Sequence, residues 1–110
     1  MQQSYMLKIA TKAVLLWGAV LAVSLSVQAQ SLRDAARLDA EGKCEQAEEY
    51  YKDALSKGSP SPALLNNAGN HYLVCGQPAK ARTYFEKLLQ INPLHPNANL
   101  QLARMAAEQK

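Results

Sequence analysis

Two cysteines and a histidine are the residues of this 110-residue chain that are best suited to chemistry. His71 precedes Cys75 by four residues, so both side chains lie on one face of a helix that carries them. Together with Cys44 they form a set of nitrogen and sulfur ligands that suits zinc or copper. The same cysteines could instead form a disulfide or remain buried thiols. The choice depends on the elements that position them.

No other group of residues indicates catalysis. Neither cysteine lies in a Cys-x-x-Cys motif, and no glycine-rich phosphate loop is present. His71 and His95 lack the nucleophile and acid partners of a hydrolase in any recognisable spacing. Three glutamates at positions 45, 48 and 49 fall in the first turns of a predicted helix, where the helix dipole explains them. We therefore predict a protein that is not an enzyme and has no cofactor.

The N-terminal segment has the pattern of a secretory signal peptide. Lys8 and Lys12 lie in a polar stretch without acids, and the apolar run 13–27 follows, ending in small residues before Gln30. An apolar run of 15 residues is shorter than the roughly 20 that a bilayer-spanning helix needs. We expect residues 1–29 to be cleaved and residues 30–110 to be exported, to the periplasm or outside the cell. The alternative is a retained membrane anchor and a membrane-tethered structural subunit.

The predicted exported part is nearly neutral. Without residues 1–29 the chain has ten Lys and Arg against nine Asp and Glu. Binding to nucleic acid requires an excess of basic side chains on one surface. We expect no nucleic-acid partner, and a membrane association only through the N-terminal segment if it is retained.

The exported part repeats itself with a period of 34 residues. Gly42 aligns with Gly76 and Ala47 with Ala81, and Tyr51 aligns with Phe85. Each unit has the pattern of two helices, because a glycine ends the first helix and an apolar stripe follows in the second. The predicted helices are 31–41, 44–57, 62–75, 78–91 and 96–108.

These repeats resemble the tetratricopeptide repeat, a helix–turn–helix unit of 34 residues. The best match is 62–95, and its matching residues are Ala68, Gly69, Tyr72, Gly76, Ala81, Phe85 and Pro93. Residues 28–61 are a more degenerate copy, and 96–110 look like a lone first helix that caps the stack. The resemblance implies an all-α solenoid with two repeats and a C-terminal capping helix.

The predicted arrangement brings the two cysteines together. Cys44 begins the second helix of the first repeat, and Cys75 ends the first helix of the second repeat. Because these helices are neighbours in an antiparallel stack and export permits oxidation, we predict a Cys44–Cys75 disulfide. Free thiols and a metal site with His71 remain the alternatives.

The resemblance also implies a function in protein binding. In the family, first-helix residues line a concave groove that holds a peptide or a partner's helix. Carried over by position, the groove residues are Leu32, Asp39, Asn66, Asn70, Leu73, Leu100 and Arg104. We expect a scaffold or adaptor for an envelope assembly such as pilus, secretion or cell-wall machinery. A small metal-handling protein that uses His71, Cys75 and Cys44 is the alternative.

Overall fold

The computed structural model of the protein describes residues 31–109. The predicted signal peptide lies outside the described residues. Residues 31–109 form five helices and no strand, so the predicted all-α class is confirmed. None of the helices described there is long and apolar enough to cross a membrane. We number the helices α1 (31–40), α2 (Cys44–Leu55), α3 (Pro62–Val74), α4 (Pro78–Ile91) and α5 (Pro96–Glu108).

The first helix of each repeat ends in the same way. Gly42 has φ 78° and Gly76 has φ 76°, the left-handed conformation that glycine adopts without steric cost. After each glycine, the next N–H reaches back to a carbonyl of the preceding helix: Lys43 to Leu38, and Gln77 to Tyr72, both over 2.8 Å. Every residue in the second pair lies 34 positions after its counterpart. The sequence period is therefore also a period in backbone hydrogen bonding.

Proline marks the start of three helices. Pro62, Pro78 and Pro96 each occupy the first turn, where the missing N–H has no intrahelical partner to lose. The Ser61 hydroxyl accepts a bond from the N–H of Leu64 over 3.1 Å, and His95 Nδ1 accepts one from Ala98 over 3.3 Å. His95 is the N-cap of α5.

The helices end close to their predicted positions, with α2 the largest difference. This helix stops at Leu55 rather than at residue 57. The N–H of Ser56 is shared between the carbonyls of Lys52 and Asp53, and Gly58 then takes φ 103°. The last turn of α2 is thus tightened, and the chain turns away from the helix axis at Gly58. The sequence pattern does not specify this exact end point.

Helix α3 contributes to two hydrophobic clusters and so joins the repeats. Leu64 and Ala68 pack with residues of the first repeat, among them Ala47 and Tyr51. Leu65 and Tyr72 pack with residues of α4 and α5, namely Ala81, Phe85, Leu88, Ala98 and Met105. The first repeat therefore depends on α3 of the second repeat for part of its burial, and the second repeat shares its own cluster with α5.

Candidate functional site

A disulfide lies where the first repeat meets the second. Cys44 is the first residue of α2, and Cys75 directly follows α3. The structure joins them, with Cα atoms 5.9 Å apart and a sequence separation of 31 positions. This separation falls within the range of about 4.4–6.8 Å that disulfides require. The bond connects the second helix of one repeat to the first helix of the next.

A buried histidine and carboxylate lie beside this disulfide. His71 Nδ1 is 2.6 Å from Asp39 Oδ1, and the side chains are 0% and 11% exposed. The pair connects α1 with α3. His71 Nε2 is also buried, yet has no hydrogen-bond partner among residues 31–109. Asp39, predicted to line the groove, is turned instead onto His71.

Two tyrosines enclose the histidine ring. The ring of Tyr51 lies 4.7 Å from that of His71 and Tyr72 meets it edge-on at 4.7 Å, both measured between centroids. Burial and the charge of Asp39 raise the pKa of Tyr51 to about 12. Burial, the charges of Glu48 and Tyr84 and a hydrogen bond to Glu48 raise the pKa of Tyr72 to about 12. Both phenols are therefore neutral near pH 7. The negative charge next to His71 is that of the Asp39 carboxylate.

In the oxidised chain the metal-handling alternative lacks its two sulfur ligands. It requires Cys44 and Cys75 as thiolates, because the thiolate is the form of cysteine that binds metals. In the structure both sulfurs are consumed in the disulfide. No free cysteine is present in the part of the chain that the structure describes.

A second cluster of polar side chains lies between α3 and α5, the first helices of successive units. Asn97 Nδ2 on α5 donates to the side-chain oxygens of Asn66 and Asn70 on α3, over 2.7 Å and 3.0 Å. Asn97 Oδ1 accepts a bond from Gln101 over 3.2 Å. We call these four side chains the amide ladder. All four residues are partly buried, so the ladder lies at the surface without being fully solvated.

The amide ladder leaves a defined set of donors. Both N–H groups of the Asn97 amide are used within it, whereas Asn66 and Asn70 take part through their oxygens. Among residues 31–109, no hydrogen bond engages the Nδ2 atoms of these two asparagines. Each Nδ2 is therefore free to donate to a carbonyl group placed over α3.

The remaining predicted groove residues divide by exposure. Leu32 and Leu73 are half-buried and pack against the two hydrophobic clusters. Leu100 and Arg104 on α5 are exposed, Leu100 by 47%. The first helix of each unit is called its A helix, and α3 and α5 are the A helices of successive units. We define the A-helix face by six residues of these two helices: Asn66, Asn70, Asn97, Leu100, Gln101 and Arg104. Leu100 and Arg104 are thus the exposed members of the predicted groove, whereas Asp39 is paired with His71.

Asn97 and Gln101 are not among the groove residues that the sequence predicts. Both are polar residues one turn apart at the start of α5, a spacing that places them on one side of a helix. That spacing was a usable signal. Their contact with Asn66 and Asn70, however, depends on how closely α5 approaches α3, which the sequence does not specify.

Comparison with known proteins identifies one segment. A family model described as the tetratricopeptide repeat matches residues 62–95, the same 34 residues that the sequence predicts as the second repeat. No curated protein and no solved structure matches the chain. The repeat is in general a non-catalytic module through which proteins bind other proteins or peptides.

Proposed function

We propose that this chain, which carries a tetratricopeptide repeat at residues 62–95, is an extracytoplasmic scaffold that binds an extended peptide segment of a partner protein. The binding surface is the A-helix face. The chain acts as an adaptor without catalytic activity, in an envelope assembly such as pilus, secretion or cell-wall machinery. The family match supports the binding role, and the pattern of residues 1–29 supports export.

The observation that carries this proposal is the amide ladder. Asn97 holds the oxygens of Asn66 and Asn70 and thereby orients both amide nitrogens as donors. The backbone of an extended peptide offers carbonyl acceptors that such donors bind without regard to side chain. A row of ordered amide donors therefore favours a peptide backbone over a small charged ligand.

The exposed residues beside the ladder would supply selectivity. Leu100 is a large apolar side chain left 47% exposed, and Arg104 follows one turn later on α5. An apolar anchor in the ligand would bury Leu100, and a carboxylate would pair with the guanidinium of Arg104. The preferred segment is thus extended, with an apolar residue close to an acidic one.

Site-specific crosslinking tests the location of the surface. A photoreactive residue replaces Leu100 or Arg104 on the A-helix face, and the matched control replaces exposed Glu86 on α4. We expect a discrete crosslinked partner from the first two positions and none from the control. Equal crosslinking from Glu86 would place binding elsewhere and contradict the proposal.

The partner segment identified in this way then tests the amide donors. Removing one neutral hydrogen bond costs about 0.5–1.5 kcal/mol, so Asn70→Ala should weaken binding of the segment about two- to tenfold. Glu86→Ala is the control and should leave the dissociation constant unchanged. Melting curves of both variants establish that the fold is retained. An unaltered affinity in the double variant Asn66→Ala/Asn70→Ala would refute the role of the ladder.

A further inference from the structure

Four side chains with metal-binding atoms meet at the junction of the repeats. Asp39 Oδ1, His71 Nδ1 and Cys75 Sγ all lie within 4.8 Å of one another, and Cys44 Sγ is bonded to Cys75. Three helices supply them: α1 carries Asp39, α2 begins with Cys44, and α3 ends next to Cys75. In the oxidised chain they do not form a metal site, because the disulfide sulfurs are not thiolates.

Two of the three distances among Asp39, His71 and Cys75 suit a tetrahedral ion. Cys75 Sγ lies 3.6 Å from Asp39 Oδ1 and 3.6 Å from His71 Nδ1. A tetrahedral zinc ion with bonds of about 2.3 Å to sulfur and about 2.0 Å to nitrogen or oxygen holds such ligand atoms about 3.5 Å apart. The contact between Asp39 and His71, 2.6 Å, would have to widen by about 0.7 Å to admit the ion.

The burial of His71 is a second, independent observation. The fold encloses its ring completely, points Nδ1 at the cluster and leaves Nε2 without a partner among the described residues. A buried polar atom without a hydrogen bond is costly, and native structures contain few. The fold nevertheless holds the imidazole in this buried position with Nδ1 directed at Asp39 and Cys75, where Nδ1 can serve as a ligand atom.

We propose that opening the Cys44–Cys75 disulfide creates a zinc site formed by Asp39, Cys44, His71 and Cys75. A dithiol reductant supplies two electrons and two protons, which break the S–S bond and give two thiols, while the reductant closes to its own disulfide. Zn²⁺ then displaces the two thiol protons and binds both thiolates. The proton on His71 Nδ1, which lies in the contact with Asp39 Oδ1, moves to Nε2. Nδ1 then binds the ion as a neutral imidazole nitrogen, and the ionised Asp39 completes the set.

The ligand set selects zinc over other ions. Two thiolates, one imidazole and one carboxylate in a tetrahedron are typical of Zn²⁺, whereas Ca²⁺ and Mg²⁺ require oxygen ligands. Cu(I) prefers sulfur and gains little from the carboxylate of Asp39. The bound ion would hold α1, α2 and α3 together once the disulfide is open. The cluster is therefore a redox-controlled staple in which zinc replaces the covalent bond.

Metal titration of the full chain tests this proposal. The chain is titrated with Zn²⁺ alone, and separately with Co²⁺ as a spectroscopic probe, before and after reduction by a phosphine. We expect one bound ion in the reduced chain, with thiolate-to-cobalt charge-transfer absorption, and no binding in the oxidised chain. Equal binding in both states, or no binding after reduction, would overturn it. If the reduced chain loses helix, Zn²⁺ should restore it, and failure to do so also overturns the proposal.

Substitution of Asp39 and His71 distinguishes a four-ligand zinc site from nonspecific metal binding by the two thiols alone. Asp39→Asn and His71→Gln should each weaken Zn²⁺ binding by at least about tenfold. Asp53→Asn and His95→Gln are matched controls away from the cluster and should not change it. Asp39→Cys exchanges an oxygen ligand for a thiolate, so it should bind zinc more tightly after reduction. If these variants bind as the natural chain does, Asp39 and His71 are not ligands.

Discussion

Gly69 of α3 lies directly against the ring of Phe85 on α4. A Cβ atom placed on Gly69 would be 2.6 Å from Cε1 of Phe85, closer than any real contact. The ring is fully buried, among side chains of the cluster that joins α3, α4 and α5. The absence of a side chain at position 69 therefore sets how closely these two helices pack.

Gly69→Ala should destabilise the protein although alanine is the better helix former. Alanine gains about 1 kcal/mol in helix propensity over glycine, but its methyl group would have to displace the fully buried ring of Phe85. Overpacking costs about 1–3 kcal/mol, so we expect a net loss of stability in chemical unfolding. The variant Phe85→Leu provides the double-mutant cycle, and Gly69→Ala should cost less in that background. Increased stability of Gly69→Ala would contradict the close packing.

Ala81→Leu tests the packing stripe that the repeat register predicts. Ala81 is fully buried in the cluster that contains Tyr72 and Phe85, so a larger side chain has no room. We expect a loss of about 1–3 kcal/mol, measured by thermal or urea unfolding. Ala79→Leu on the same helix is the control, because Ala79 is exposed. An unchanged melting temperature for Ala81→Leu would mean that the packing is wrongly assigned.

Features fixed by local chemistry could be predicted from the sequence. A glycine that ends a helix acts through its own φ angle, and a proline acts through its missing N–H, so Gly42, Gly76 and Pro78 indicate helix boundaries without knowledge of the fold. The spacing of Ala81 and Phe85 likewise depends on the helical period alone.

The polar contacts between helices could not be predicted in this way. Asp39 and Leu73 occupy equivalent positions in the two repeats, and the register assigns both to the groove. The structure turns Asp39 onto His71, a residue 32 positions away on the neighbouring helix. Asn97 meets Asn66 and Asn70 for the same kind of reason. Such contacts follow from the separation and angle of packed helices, which vary continuously and leave no periodic signal.

Residues 1–29 give a prediction about processing. Their basic start, apolar run and small residues before Gln30 are the pattern that signal peptidase recognises. We expect protein isolated from its native compartment to begin at Gln30, as N-terminal sequencing would show. Recovery of Met1, or of residues from the apolar run, would favour the membrane-tethered alternative. Cell fractionation of the same sample would then place the chain in the membrane rather than in a soluble fraction.

The two buried tyrosines predict a loss of stability at alkaline pH. Burial raises the pKa of Tyr51 and of Tyr72 from 10 to about 12 in the folded chain, with negative charges on Asp39 and Glu48 adding to it. The unfolded chain releases these protons near pH 10, so their contribution to stability is complete below pH 10 and falls as the pH rises toward 12. Melting temperatures measured from pH 8 to pH 12 should show this decline.

Phenylalanine variants assign that decline to the tyrosines. The double variant Tyr51→Phe/Tyr72→Phe removes both phenols, and its melting temperature should fall less steeply above pH 10. Tyr50→Phe is the matched control, because Tyr50 is adjacent in sequence but 45% exposed. The comparison is between slopes rather than absolute values, since loss of the bond from Tyr72 to Glu48 lowers the baseline. Parallel curves for all three proteins would exclude the tyrosines as the cause.

Reduction of the disulfide should loosen the first repeat before the second. The bond closes a loop between residues 31 positions apart, and such a loop is worth about 3–4 kcal/mol in the chain-entropy model. Helices α3, α4 and α5 share the larger hydrophobic cluster and keep it when the bond opens. Helices α1 and α2 are held to α3 by the smaller hydrophobic cluster, the Asp39–His71 pair and the disulfide. Hydrogen exchange in the presence of a chelator, with and without phosphine, should therefore show residues 31–57 losing protection while 62–108 retain more.

The variant Cys44→Ser/Cys75→Ser, which the reductant cannot change, should exchange like the reduced chain under both conditions. Equal loss of protection in both repeats would show that the chain unfolds as one cooperative unit and that the disulfide does not act locally.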